Sequence, residues 1–304
     1  MNRDIFNFFI YRINKEFRYD LFSPREQLVK NHDDILKNYL KSICIDKFDI
    51  KNETKNAKYS WSLRRFIEID EQTTSIVLAK SELSKDAFIV TNRDLTTGIT
   101  ESSPAPAQVI AILFFWERHL AIVENRSGMA TGVKHYHKIV DNSKSILNTP
   151  VIPRLEPVPL QGSIREHLKK FDVVHRLRLK VRLPNPELSR VAKNIYNNML
   201  SANIAEYLQE FGSPDGLKIE DGNLIDQAVS LAESGYKDGG VKIDGEKNGK
   251  PVSVDEGKYA IKGKIAQILA LIRGIDINSR NNKALKDSLL LIRAEVNRLF
   301  PNEE

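Results

Sequence analysis

Residues 171–183 read Phe-Asp-Val-Val-His-Arg-Leu-Arg-Leu-Lys-Val-Arg-Leu, and two surfaces alternate along them. Phe171, Val173, Leu177, Leu179, Val181 and Leu183 share one parity, while Arg176, Arg178, Lys180 and Arg182 share the other. Strand side chains project to opposite faces with a period of two, so this stretch specifies a strand with an apolar face and a cationic back. His175 falls on the apolar parity, where a buried, hydrogen-bonded imidazole is expected. Four cations in a row repel one another, which calls for neutralisation by solvent, acidic neighbours or a polyanion. Two readings follow. One is a phosphate-binding stripe, helped by Lys169, Lys170 and Arg165; the other is a solvated face paired with Asp and Glu of the same chain.

Charge concentrates around this strand. The 304 residues carry a net charge of +6, and residues 151–193 alone hold ten Lys/Arg against four acids. A local excess points to an anionic partner better than basicity spread over a whole surface. With 41% hydrophobic and 28% charged residues the chain suits a folded protein, and its length suits two domains. Cys44 is the single cysteine, which excludes an intrachain disulfide and a Cys-based zinc site and fits a reducing compartment. The first ten residues are interrupted by Asp4 and Asn7, lack a small-residue cleavage site, and the apolar runs elsewhere are too short to span a bilayer. The expectation is a cytoplasmic protein with no membrane partner.

Ile5 to Ile13 reads as a first strand, and Ser23-Pro24-Arg25-Glu26 opens a helix reaching about Ser42. Short strands are expected at Tyr59–Ile69, Thr74–Ala79, Ala87–Thr91, Val109–Phe115 and His119–Glu124, with Trp116-Glu117-Arg118 as a hairpin connection. Thr131 to Leu147 reads as helix. Pro150, Pro153, Pro157 and Pro159 suit neither a regular helix nor a central strand, so they mark a boundary. After the basic strand come the Pro184-Asn185-Pro186 break, a long helix from Glu187 to Phe211, a glycine-bearing loop to Gly222 and a helix to Ser234. Val241–Glu246 and Lys250–Val254 flank Asn248-Gly249, a pair that tolerates the positive φ of a tight hairpin. Tyr259 to Phe300 reads as two helices broken near Asn278–Asn282, with Leu285, Leu289, Ile292, Val296 and Leu299 at helical spacing.

This order specifies an α+β fold of two domains, with mixed, mainly antiparallel sheets and flanking helices, plus a C-terminal helical segment. The expected divisions are an α+β domain over 1–149, a Pro-rich linker over 150–160, a second α+β domain with the basic strand over 161–258, and the helical segment over 259–304. That segment either packs on its own domain or docks a protein partner, including a second copy of the chain.

Five motifs occur in one order: Phe114-Phe115-Trp116-Glu117-Arg118-His119-Leu120-Ala121-Ile122-Val123-Glu124, Leu183-Pro184-Asn185-Pro186, Ser213 to Leu217, Gly235-Tyr236, and Gly245-Glu246-Lys247-Asn248-Gly249-Lys250 leading to Ser253. In these, over much of residues 105–255, the chain resembles a bacterial family of unknown function. The resemblance implies a cytosolic accessory protein of bacterial or phage genomes, connected with mobile elements and phage defence. It carries over no catalytic residues. The row of four cations, the N-terminal hundred residues and the helical tail lie outside it.

Catalytic and metal chemistry is thinly represented. His135 and His137, with His119 as a third, have ligand chemistry, but their flanks read as helix, where i and i+2 diverge by about 200°. His135 and His137 are read as surface histidines and His119, beside a turn, as structural, and no metal is expected. Asp215, with Glu256 and Lys258, supplies the residue types of a metal-dependent nuclease, in which two carboxylates hold Mg²⁺ and a lysine places the attacking water. The turn composition of Ser213-Pro214-Asp215-Gly216 and the glycine beside Glu256 argue against it. Gly245 to Lys250 lacks the spacing of a P-loop and Gly239-Gly240 lacks a dinucleotide fingerprint, so no cofactor is expected. The leading expectation is a non-catalytic nucleic-acid-binding protein of a phage-defence or mobile-element system. The alternatives are the nuclease and a protein-interaction subunit acting through the C-terminal helices.

Overall fold

The computed structural model describes residues 5–17, 32–46, 48–90, 95–101, 103–182, 190–202, 204, 206–266 and 283–301. Its elements are β1 (Ile5–Phe17), α1 (His32–Asp46), β2 (Ile50–Thr54), β3 (Ala57–Asp70), β4 (Thr73–Val90), β5 (Leu95–Glu101), β6 (Ala107–Phe115), β7 (Leu120–Glu124), α2 (Gly132–Leu147) and β8 (Val151–Pro157). Then follow α3 (Ser163–Leu168), β9 (Val173–Arg182), α4 (Arg190–Ser201), β10 (Glu206–Gly212), α5 (Leu224–Glu233), β11 (Val241–Lys247), β12 (Lys250–Glu256), β13 (Lys262–Ala266) and α6 (Lys283–Leu299).

The strands form two antiparallel sheets, and the fold is α+β. The first has the order β13-β1-β7-β6-β4-β3-β2, with β5 added along β4 and β8 along β1. The second has the order β10-β9-β11-β12 and is inserted between β8 and β13. Strand β6 shows why the first sheet is layered on both sides. Ile110, Ile112 and Phe114 point into a core with Leu36, Leu40 and Tyr136 of α1 and α2, while Leu113 and Phe115 point into one with Leu289, Ile292 and Val296 of α6. Each of these fully buried side chains contributes roughly 1.5–3 kcal/mol. In the second sheet Leu177, Leu179 and Val181 of β9 pack with Ile164 of α3 and Ala228 and Leu231 of α5.

Four expectations are corrected. The Pro-rich segment is not a linker: residues 151–157 are strand β8, in register with β1 from Phe17↔Val151 to Tyr11↔Pro157. Ile10 N–H donates to Ile261 O (3.0 Å) and Ile10 O accepts from Val158 N–H (3.2 Å), so even positions of β1 bond toward β8 and β13, which lie end to end along one side of it. Pro153 and Pro157 pair with Lys15 and Tyr11, odd positions, where the proline nitrogen faces away from β1 and no ladder bond to it is lost. The long helix ends at Ser201, and Glu206–Gly212 is strand β10, whose Tyr207 and Phe211 turn inward at period two onto the second core. In β9, His175 is an extra residue opposite Asp244 and Gly245. This bulge turns Val174 inward and leaves His175 beside Glu246 and Ser213 O. Finally, the segment from 259 is not helical throughout: Lys262–Ala266 is strand β13 of the first sheet, while the expected C-terminal helix is present as α6, packed on that sheet's core. The N-cap at Ser23, the break at 184–186 and the helix expected before Asn278 fall wholly or partly outside the described residues.

The inserted sheet is held by the polar end of β1. Arg12, 2% exposed, donates from Nε to Ser234 O (2.7 Å) and from Nη1 to Arg118 O (2.8 Å), and its guanidinium lies over the rings of Tyr236 (4.7 Å) and Phe300 (5.3 Å). Asn14 donates to Gly235 O (3.0 Å) and Lys237 O (3.4 Å). Arg12→Ala strips two buried carbonyls of their donor and is expected to cost roughly 2–5 kcal/mol in urea unfolding; a loss below about 1 kcal/mol contradicts this assignment.

Candidate nucleic-acid interface

Strand β9 is central in the second sheet, and its outward row faces away from α3 and α5. Side-chain exposure along the row falls from 54% at Arg176 and 39% at Arg178 to 36% at Lys180 and 11% at Arg182. Acidic residues of the same chain meet all four. Arg178 makes a bidentate pair with Glu210, its cross-strand neighbour on β10 (3.0 Å for both bonds), and Arg176 reaches the same carboxylate at 3.3 Å. Lys180 (2.9 Å) and Arg182 (3.0 Å) share Asp238, and Arg182 also approaches Glu16 of β1 at 3.9 Å. The Arg178 hydrogen bonds hold the Glu210 carboxyl below its ordinary value, and the Glu210 carboxylate raises Arg178.

The row therefore divides in two. Arg182 and Lys180 join a network with Asp238, Glu16, Arg154 and Asp141 that links the two sheets. Arg176 and Arg178 stay at the surface as two guanidiniums on one carboxylate. Lys242 of β11 is the cross-strand neighbour of Arg178 on the same face, exposed and without an ion pair among the described residues. Leu208 of β10, 61% exposed, stands opposite Lys180 on that face.

The other three cations expected to join the stripe sit elsewhere. Arg165 ties α3 to α5 through Asp226 (2.7 Å), Glu233 and Ser230 Oγ (2.6 Å), a structural clamp on the core side of the sheet. Lys169 and Lys170 are exposed just after α3, where Asp172 N–H donates to Glu246 O, near the tip of the β11–β12 hairpin. The seven residues do not form one surface.

The nuclease residues are not brought together. Leu217 N–H donates to Val174 O (2.7 Å), which places the Asp215 turn at the start of β9. Glu256 pairs with Val241, one residue beyond the Lys242–Arg178 pair and two strands across. From Val174 to that level is roughly 17 Å along the strand. Glu256 is engaged by His167 Nδ1 (2.7 Å) and Lys258 by Asp255 (2.5 Å). Among the described residues no group of three His, Cys, Asp or Glu could hold a metal ion, and no helix is long and apolar enough to cross a membrane. A concavity of about 400 Å³ lies on the β4–β5 ribbon, lined by Asp86, Ala87, Thr97, Gly98 and Ile99; it is open and holds one carboxylate.

His135 and His137 are structural, and not the surface residues expected, while His119 is structural as expected. His135 is 6% exposed and stacks on Trp61 at 4.0 Å, and His119, 4% exposed, occupies a left-handed turn beside Asp33 (3.2 Å). His137 Nε2 accepts the Leu155 N–H (3.1 Å), an outward-facing donor of edge strand β8. The residues that sequence reasoning missed are those joining the sheets: Arg12, Asn14, Glu156 and Lys237. A signal for two of them exists, since the even positions of β1 change from Phe6, Phe8 and Ile10 to Arg12, Asn14 and Glu16. No protein-family model matches this chain, and no curated protein matches it.

Burial, reinforced by Arg154, lowers His137 to about 4 from an ordinary value of 6.5. The imidazole stays neutral in the fold but charges on unfolding, so its contribution is present above about pH 6.5 and lost as pH falls toward 4. His137→Gln keeps an acceptor for Leu155 and removes the titration. Parent and variant should melt together at pH 7, with the variant the more stable at pH 4.5; a gap that is constant across this range contradicts the assignment.

Proposed function

We propose that this protein binds nucleic acid without cleaving it, through the open face of its second sheet. The observation that carries the reading is the pair Arg176 and Arg178 on one shared carboxylate, beside Lys242 and Lys180 on a face that is exposed among the described residues. Alternating residues of a strand stand about 6.6 Å apart, so the cations make a patch that follows a phosphate backbone and reads charge, not base identity. Glu210 and Asp238 orient the cations and compete with phosphate for them, so the affinity is modest and strongly salt-dependent. The cytoplasmic setting and the connection with phage defence or mobile elements are part of the same proposal, supported by the motif resemblance over residues 105–255 and the single buried Cys44.

If three phosphates are neutralised, log K should fall with log salt at a slope near −2.7. A gel-shift titration of Arg176→Gln/Arg178→Gln/Lys242→Gln should show weakened binding and a shallower slope with the melting temperature retained. Unchanged binding by the triple variant removes the proposal.

A second reading has its own observation. On α6, Leu290 is 61% and Leu291 49% exposed while Leu289 and Ile292 fill the core, which suits self-association through this helix. Sedimentation of the parent and of Leu290→Gln/Leu291→Gln decides it: a dimer converted to monomer supports this reading, and a monomeric parent ends it.

A further inference from the structure

Two ionisable side chains, one on a strand of the first sheet and one bridged to Val181 of β9 in the second, are buried on the same glycine. Glu156 of β8 is 9% exposed, and its carboxylate accepts the Gly239 backbone N–H. Lys237 is fully buried, and its Nζ donates to Gly239 O at 2.9 Å. The backbone N–H and C=O of Gly239, in two successive peptide units, thus bridge the two charges. There is little space around them: a Cβ added at Gly257 would stand 3.4 Å from Lys237 Cε and 3.2 Å from Ile164 Cδ1. Tyr11 of β1 faces Glu156, together with Arg182 of β9 and Asp238; Asp255 of β12 and Asp238 face Lys237. Glu16, Arg154, Asp141 and His137 form the next ring through Arg182 and Asp238.

Burying two charges that attract each other but are joined only through the Gly239 backbone recovers just part of their lost hydration, since full Coulombic repayment requires direct contact and further hydrogen bonds. We propose that Glu156 and Lys237 form a proton-operated clamp between the two sheets, weakest when both carry their charge and tighter when either is neutral. The Gly239 bridge survives in each state, because a neutral carboxyl still accepts a hydrogen bond and a neutral amine still donates one.

Burial raises Glu156 from 4.5 to about 7, with Lys237 and Arg182 opposing and Asp238 reinforcing the shift. Burial lowers Lys237 from 10.5 to about 8 against the carboxylates of Glu156, Asp238 and Asp255. A raised acid contributes stability below its unfolded value that is lost as pH rises, here from 4.5 through 7. A lowered amine contributes stability above its unfolded value that is lost as pH falls, here from 10.5 through 8. The clamp is therefore loosest between these two folded values and tightens on acidification. His119, His135 and His137 are all lowered by burial and pull the other way below pH 6.5, so the parent's profile alone does not isolate the clamp.

The test compares variant with parent at each pH in urea unfolding. At pH 8, Glu156→Gln should raise the folded-to-unfolded ratio on the order of a hundredfold, with the gain gone by pH 5. Lys237→Met should show a gain at pH 7 that shrinks above pH 9. Independently, the Gly239 amide should exchange more slowly in Glu156→Gln than in the parent at pH 8. A Glu156→Gln difference independent of pH, or equal Gly239 exchange in the two proteins, overturns the clamp.

Discussion

The Arg12 guanidinium is buried without an ion-pair partner among the described residues, and four parts of the chain converge on it. It lies on β1 of the first sheet, donates to Ser234 at the end of α5 and to Arg118 in the turn before β7, and covers the rings of Tyr236 and Phe300. A cation here is tolerable, despite the nearby Arg118 guanidinium, because its direct contacts offer electron density: carbonyl oxygens on one side, aromatic faces on the other. Phe300 is shared. Arg118 also approaches its ring (5.6 Å) and donates to its carbonyl (2.5 Å), so the end of α6 is fixed by the same pair of arginines. The inserted sheet and the C-terminal helix are thus both set against the first sheet at one buried point.

Around that point the electrostatics grade from buried to exposed. Lys237 and Glu156 are enclosed, Arg182 is mostly enclosed, and Lys180, Arg178 and Arg176 emerge in turn along β9. One end of the cationic row therefore holds the sheets together while the other remains at the surface. Surface pairs of this kind add little stability, with measured values near 0–1 kcal/mol, so Glu210 is better described as orienting Arg176 and Arg178 than as holding the sheet.

Much of this architecture was legible in the sequence. Period-two alternation located β9, Asn248-Gly249 located the β11–β12 turn with φ values of 51° and 68°, and helical spacing gave the core face of α6. The Pro-rich strand was not legible, because whether a proline breaks a strand depends on which way its nitrogen faces, and that is set by the partner's register. Strand β10 was missed for a related reason: Glu206–Phe211 follows a helix without a proline or glycine to announce the change, and its period becomes meaningful only beside β9. Of the candidate interface, the row itself was readable, but Glu210, Asp238 and Glu16 come from distant segments. The junction was hidden because a buried arginine and a buried lysine look like surface residues until their neighbours are known.

The polar end of β1 should make the two sheets one cooperative structure, which differential scanning calorimetry can check. A single transition in which calorimetric and van't Hoff enthalpies agree is the expected result; two resolved transitions, one for each sheet, would contradict it.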